Sequence, residues 1–173
     1  TRGGNTPGID MLNNIARKIA GKKLPNSGHS VKRDQMFKKK WIQILWLTLA
    51  IFDLCFIYAL RIRWNLLIGN AVICDRYLKD TLIDFKIMFP DLNVEKWVLW
   101  RLLTLVTPRP SVEYLLMIPI KLSEQRCLQK YEPFPDTPER RKTRYDLYEK
   151  LSKSDNGVYV IDATQKVENV FKI

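Results

Sequence analysis

The stretch GNAVICDRYLKDTLID, residues 69–84, predicts more about the fold than any other part of the chain. Four small or apolar residues, 71–74, run into Asp75, Arg76 and Tyr77. A short apolar run bounded by a turn residue predicts a strand that is buried on both faces of a sheet. Ligands bind at the carboxyl ends of such strands, where a carboxylate can hold Mg²⁺ and an arginine can bind a phosphate. The same pattern also fits a structural strand whose Asp75 and Arg76 cap the next helix, and these residues alone leave both interpretations open.

The composition fits one domain with a sizeable core, because 46% of the 173 residues are hydrophobic. The formal net charge is +11, from 29 basic and 18 acidic residues. This balance favours anionic partners, such as nucleotide phosphates, nucleic acid or an acidic membrane surface, and it does not choose among them.

The cysteine and histidine content argues against several kinds of site. Cys55, Cys74 and Cys127 are far apart in sequence and include no C-x-x-C pair, so neither a disulfide framework nor a zinc site is indicated. We therefore expect a cytoplasmic protein. The single histidine, His29, lies in the polar segment NSGHS and is interpreted as a solvated loop residue, which leaves little support for a Ser-His-Asp triad.

The first 40 residues predict a loop, a helix and a second loop. The opening TRGGNTPG is rich in glycine and proline, and the spacing of the apolar residues from Ile9 to Ala20 predicts an amphipathic helix. Residues 21–40 are polar and basic and are interpreted as a loop or insertion.

Residues 41–60, WIQILWLTLAIFDLCFIYAL, are the most hydrophobic segment. Their length would just span a bilayer as a helix, but Gln43 and Asp53 lie within them, and a carboxylate at mid-membrane is costly. The apolar pattern continues to residue 68 and stops at Gly69. We interpret the segment as a core helix in preference to an interfacial helix, and as an interfacial helix in preference to a membrane span.

The rest of the chain predicts helices that alternate with strands, which is typical of an α/β protein with a parallel sheet. The predicted elements are a helix Asp80–Phe89, a helix Val94–Leu105, a buried strand Val112–Ile118, a helix Lys121–Lys130 capped by Ser123, a helix starting at Pro138 and capped by Thr137, a turn at Asn156-Gly157, a strand Val158–Ile161 ending in Asp162, and a last helix capped by Thr164.

Pieces of this sequence, taken in order, resemble the thymidylate kinase family of P-loop nucleotide kinases. TRGGNTPG is similar to that family's TREPGGTP-type loop, and GNAVICDRY is similar to its strand ending in Asp-Arg-Tyr. PSVEYLLMIPIKLSEQRCLQK resembles its strand and arginine-bearing helix, and NGVYVIDATQKVENVFKI resembles its last strand and closing helix. Residues 41–69 look most like divergent bacterial and archaeal members. The resemblance implies a single α/β domain over residues 1–173, with a three-layer, P-loop NTPase-like parallel sheet that is flanked by helices and incomplete at its N-terminus.

The resemblance implies a phosphotransferase that moves the γ-phosphate of ATP, with Mg²⁺, to a nucleoside monophosphate or a related small acceptor. Asp75 would hold the metal at the reacting phosphate, and Arg76 would bind the acceptor's phosphate. Arg126 would lie near the nucleotide donor. The other implied residues are the lid arginines Arg140, Arg141 and Arg144, and the acceptor-site residues Arg2, Tyr77, Asp80 and Asp84. The simpler interpretation of the lid cluster, and of Asp80 and Asp84, is charge on solvated helix faces.

Three departures from the family pattern bear on these expectations. No G-x-x-x-x-G-K-[ST] phosphate-binding motif occurs in the sequence; in the family it would precede Thr1. The chain is therefore interpreted as the C-terminal portion of a longer protein or, alternatively, as an inactive relative. Leu54 stands where the family has an arginine that contacts thymine, which argues against thymidylate as the acceptor, and Met117 stands where the family often has an aspartate.

A second hypothesis is a non-enzymatic, kinase-like module that associates with a membrane or a protein partner. Residues 41–68 would then contact a membrane surface. A homodimer is a further expectation, with Leu45, Leu49, Phe52 and Phe56 as its candidate face. Nucleic acid is disfavoured as a partner, because the chain carries no helix-turn-helix, zinc-finger or RNP signature.

Overall fold

A computed structural model of the chain describes residues 39–129 and 136–165. We number its elements α1, Lys40–Leu67; α2, Leu78–Met88; α3, Val98–Val106; β1, Glu113–Met117; α4, Ile120–Gln129; α5, Pro138–Ser154; and β2, Val158–Asp162, with a 3₁₀ turn at Val94–Lys96. The predicted helix Ile9–Ala20, Arg2, the predicted last helix and all but the end of the 21–40 loop lie outside the described residues.

The chain divides into two compact units, Thr1–Pro108 and Arg109–Ile173. The first unit contains α1, α2 and α3, and the second contains both strands with α4 and α5. The single domain that the resemblance implies stays a prediction.

The long helix α1 extends through the whole segment that the apolar pattern predicted. It is an α-helix over Lys40–Cys55, a π-helix over Phe56–Ile62 and an α-helix again over Arg63–Leu67. The helix ends before Gly69, whose φ of 82° lies in the left-handed region. Glycine adopts that conformation without the steric cost of a side chain, so Gly69 is a good helix stop.

The core of the first unit is built on one face of α1. That face carries Leu47, Ala50, Ile51, Leu54 and Tyr58, each at most 4% exposed. These residues form one cluster with Phe85 and Phe89 at α2, with Val94, and with Trp100 and Leu103 of α3. A core helix is therefore the correct description of the inner face of α1.

Aromatic rings fix the way α2 packs in this core. Phe85 is fully buried, and its ring meets those of Trp46 and Trp100 edge-on, with centroids 6.2 and 6.0 Å apart. Trp46 also contacts Phe89 at 5.5 Å. Edge-to-face contacts of this kind add stability beyond the area that they bury.

The second unit is built on a parallel pair of strands. β1 pairs with β2 in the register Glu113 with Val158 through to Met117 with Asp162. The connection between them passes through α4 and α5, as a parallel crossover requires. The described chain is thus mixed helix and strand with a parallel sheet of two strands.

The strand predicted at residues 71–74 is wrong. This segment has no regular secondary structure and is exposed throughout, with Ile73 97% exposed. A strand forms only when a neighbour supplies hydrogen bonds, and within the part of the chain that the structure describes β1 and β2 pair only with each other. Asp75 therefore follows an exposed loop rather than the end of a strand.

Two smaller predictions for the second unit are also wrong. β1 alternates between half-buried and exposed residues instead of being buried, because among the described elements it belongs to a sheet of only two strands. Ser123 does not cap α4, because the helix begins at Ile120 and the Ser123 N–H donates to the Pro119 carbonyl inside the first turn.

The core of the first unit makes a direct prediction about stability. Phe85→Ala should lower the free energy of unfolding by about 3–5 kcal/mol, because it removes a fully buried ring and leaves a cavity. Phe56→Ala is the matched control: Phe56 is 63% exposed, and its loss should change that free energy by less than about 0.5 kcal/mol. Urea unfolding followed by circular dichroism measures both, and equal losses would contradict this assignment of the core.

Candidate functional site

Asp75 and Arg76 lie in the loop between α1 and α2. Asp75 is exposed, and Arg76 has a φ of 64°, the one positive value for a non-glycine residue among those described. The Arg76 guanidinium lies 3.8 Å from the carboxylate of Asp84, which is 8% exposed. The structure therefore brings together two of the residues that the resemblance assigns to the acceptor site.

Tyr77 makes structural contacts through its hydroxyl, its ring and its backbone N–H. Its hydroxyl donates to the Pro108 carbonyl at 2.8 Å, and its ring packs against that of Tyr58 with centroids 4.8 Å apart. Its backbone N–H donates to the Asp80 carboxylate at 3.3 Å. This bond satisfies a donor at the start of α2, as in a capping box. The two residues thus secure the start of α2 directly after Arg76.

Tyr58 and Thr81 are contacts of this loop that the sequence analysis missed. The two hydroxyls lie 3.3 Å apart in a buried position, and the Thr81 hydroxyl also lies 3.0 Å from the Tyr77 carbonyl oxygen, to which it donates. Burial raises the pKa of the Tyr58 hydroxyl above its ordinary value. Tyr58 is 23 residues from Thr81 in sequence, so no local pattern signals the pair.

Arg126 lies beside the carboxyl end of β2. Its guanidinium donates to the carbonyl of Ala163 at 2.9 Å and to that of Thr164 at 3.4 Å. The Ala163 N–H donates in turn to the carbonyl of Met117, the last residue of β1. The arginine is therefore held at the end of the parallel pair where ligands bind in α/β folds.

Asp162 forms a tight turn at the same end of β2. Its carboxylate accepts a hydrogen bond from the Thr164 N–H at 2.9 Å. Hydrogen bonds from the backbone N–H and the hydroxyl of Thr164 lower the pKa of the Asp162 carboxyl. The loop that follows β2 thus carries a carboxylate and two main-chain carbonyls, and the carbonyls accept hydrogen bonds from the Arg126 guanidinium of α4.

The predicted lid arginines lie on the first two turns of α5. The helix starts as the sequence predicted, with Pro138 at its first position and the Thr137 hydroxyl accepting from the Arg140 N–H at 3.4 Å. Arg141 lies 3.4 Å from the Glu124 carboxylate, and Arg144 donates to Asp136 at 2.9 Å. Ion pairs within the second unit therefore hold two of the three predicted lid arginines.

A dedicated metal cage is not present in residues 39–129 and 136–165, where no cluster of three possible ligands occurs. Mg²⁺ differs from other cations in this respect, because it is often bound by one or two carboxylates together with substrate phosphates and water. Asp75 is an exposed carboxylate, so it could bind Mg²⁺ in this way. It belongs to no cluster of three His, Cys, Asp or Glu residues in the part of the chain that the structure describes.

The predicted site residues fall into two groups, one in each compact unit. Asp75, Arg76, Tyr77, Asp80 and Asp84 belong to the first unit. Arg126 and the lid arginines belong to the second. No protein-family model matches the chain, and no curated protein matches it either.

The turn at Asp162 predicts a pH effect. We expect its carboxyl to titrate below the ordinary value of about 3.9. The bonds from Thr164 favour the charged form in the folded state, so they contribute stability above the unfolded pKa, and this contribution is lost as the pH falls through the folded pKa. Thr164→Ala removes the hydroxyl but keeps the N–H, so it should raise the pKa of Asp162 only part of the way back to its ordinary value. NMR titration of the Asp162 carboxyl measures this pKa in the unchanged protein and in the variant. A pKa at or above the ordinary value in the unchanged protein would contradict the contact with Thr164.

Proposed function

We propose that the protein is a nucleotide-dependent phosphotransferase that resembles the thymidylate kinases and moves the γ-phosphate of ATP to a nucleoside monophosphate or a related small acceptor. The motifs described above suggest this reaction through their order along the sequence. The observation that carries the proposal is the position of Arg126 beside the carboxyl end of a parallel strand pair.

Arg126 suits the binding of a planar base. Its NH1 and NH2 groups donate to consecutive main-chain carbonyls, and these bonds fix the plane of the guanidinium. A guanidinium held in this way can present its flat face to an aromatic ring, which a lysine ammonium cannot do. This arrangement supports a role for Arg126 in binding the base of the nucleotide donor.

Arg76 suits the binding of a phosphate. Its distance of 3.8 Å from Asp84 is longer than the 2.7–2.9 Å, roughly, of a charge-assisted hydrogen bond. Asp84 thus orients the guanidinium by charge, while a phosphate could form shorter and stronger bonds with it. The contacts of Tyr77 and Asp80 fix the backbone directly after Arg76, and in this way they support the proposed acceptor site.

Mg²⁺ and ATP are the cofactors of the proposed reaction. Asp75 would supply one carboxylate ligand to the metal, and the phosphates and water would supply the others. Bound Mg²⁺ neutralises charge on the transferring phosphoryl group. At the predicted lid, within the second unit, a phosphate would have to compete with Glu124 for Arg141 and with Asp136 for Arg144.

The competing function is a non-catalytic module that keeps a kinase-like scaffold. The ion pairs of Arg141 and Arg144 favour it, because paired arginines at 3.4 and 2.9 Å already have a structural role. Catalysis requires these arginines to exchange a carboxylate for a phosphate, whereas a scaffold keeps them paired. A phosphotransferase consumes ATP and a non-catalytic module does not, so ATP consumption distinguishes the two functions.

The decisive experiment measures ADP release by the full-length natural protein with ATP, Mg²⁺ and a panel of nucleoside monophosphates. We expect release with at least one acceptor. Arg76→Ala should lower kcat/KM by about 100-fold or more, because it removes charge-assisted hydrogen bonds to the acceptor's phosphate. Arg101→Ala is the matched control, because Arg101 is an exposed arginine on α3. No release with any acceptor would favour the non-catalytic module, and equal loss in both variants would refute the role of Arg76.

A second test addresses Arg126 through binding alone. Arg126→Lys keeps the positive charge but removes the planar group and its paired hydrogen bonds. We expect the Kd for ATP to rise about tenfold, which corresponds to about 1.4 kcal/mol. Isothermal titration measures this change, with Arg101→Lys as the control. An unchanged Kd would place the base elsewhere.

A further inference from the structure

The outer face of α1 carries a continuous apolar stripe. We call it the outer stripe and define it as Trp41, Leu45, Leu49, Phe52, Phe56, Leu60, Trp64 and Leu67, which are 42–81% exposed. Successive members are three or four residues apart, so they lie on one side of the helix. At 1.5 Å per residue, the stripe is about 40 Å long.

The outer stripe is not ordinary surface. Scattered exposed apolar residues need no explanation, but a contiguous patch of this kind marks a contact site. α1 is also the one helix among the described residues that is long and apolar enough to cross a membrane, and 28% of its most apolar window is buried. One face of α1 is thus used by the core, and the outer stripe lies exposed on another face.

We propose that the outer stripe docks on an anionic lipid bilayer, with the axis of α1 parallel to the membrane surface. The charges on α1 and next to it point to this partner. Lys39 and Lys40 stand at its start and Arg61 near its end, all three exposed, whereas its single acidic residue, Asp53, is at the middle. Anionic headgroups complement both basic ends at once.

A second copy of the chain fits the outer stripe less well. In an antiparallel pair the lysines of one helix would meet the arginines of the other. In a parallel pair lysines would meet lysines, and arginines would meet arginines. Both arrangements bring like charges together, which opposes association, and α1 has no acidic residue near either end to offset them.

The tryptophans fit the same orientation. Trp41 is the first residue of the outer stripe and Trp64 the last but one, and both are more than 60% exposed. Tryptophan favours the headgroup level, because its ring is apolar and its N–H is polar. The leucines and phenylalanines between them would enter the boundary between the headgroups and the acyl chains, as in other interfacial helices.

The inner face excludes a membrane span that keeps this fold. Leu47, Leu54 and Tyr58 are at most 4% exposed in the protein core. Arg63 donates twice to the Val106 carbonyl, at 3.1 and 2.8 Å, and so ties the end of α1 to the end of α3. A span would give up these contacts, whereas a helix on the membrane surface keeps them.

Vesicle co-sedimentation of the full chain tests the proposal. We expect binding to phosphatidylcholine vesicles that contain phosphatidylglycerol, weaker binding to pure phosphatidylcholine, and weaker binding as the salt concentration rises. The double variant Phe52→Ser/Phe56→Ser should lower the partition coefficient at least about tenfold, since two rings lose their burial in lipid. Leu128→Ser is the matched control, because Leu128 is 74% exposed in the second unit, and it should bind as the unchanged protein does.

Three results would overturn the proposal. One is equal sedimentation with neutral and anionic vesicles, or none with either. Another is a dimer in sedimentation equilibrium that the double variant abolishes while vesicle binding is absent; this would assign the outer stripe to a second copy. The third is resistance of the bound protein to carbonate extraction, which would indicate a span. Each variant should have the near-ultraviolet circular dichroism spectrum of the unchanged protein, which shows that the variant is folded. The assay uses no nucleotide, so its outcome is independent of the proposed phosphotransfer.

Discussion

The contact of the inner face of α1 with α2 and α3 is the interaction on which the first unit depends. Each fully buried large apolar side chain contributes about 1.5–3 kcal/mol, and this contact buries Leu47, Leu54, Phe85 and Leu103 almost completely. It also sets the position of the candidate site, because Tyr58 of α1 provides the ring against which Tyr77 packs. The loop that carries Arg76 is thus fixed by the same helix that forms the core.

Features of the fold that depend on local chemistry were predictable from the sequence. Gly69 ends α1, and Thr137 with Pro138 starts α5, because a helix terminus is determined by a few adjacent residues. The run Ala71 to Cys74 shows the limit of such patterns. Its apolar character predicts a buried strand, but such a strand needs a covering layer and a neighbouring strand. Both come from distant parts of the chain, so the segment alone cannot show whether they are present.

The contacts of the residues that the resemblance assigns to the candidate site were not predictable from the sequence. The resemblance named Arg126, yet its hydrogen bonds join residues 37 and 38 positions apart, and only the pairing of β1 with β2 brings them together. Asp80 and Asp84 are four residues apart, a spacing that places both on one face of a helix. Their equivalent spacing conceals different roles, because Asp80 caps the start of α2 and Asp84 pairs with Arg76.

The backbone at Arg76 is the strongest sign that this loop is more than a connection. A left-handed conformation costs a non-glycine residue about 1–2 kcal/mol. Glycine has no such cost and is the usual residue at such positions. The contacts of Tyr77 with Pro108 and of Asp80 with the Tyr77 N–H stabilise the conformation directly after Arg76. Strain of this kind concentrates where a side chain must point in a set direction. In this loop the left-handed backbone accompanies a guanidinium that lies beside the buried carboxylate of Asp84, a geometry that supports the phosphate-binding role proposed for Arg76.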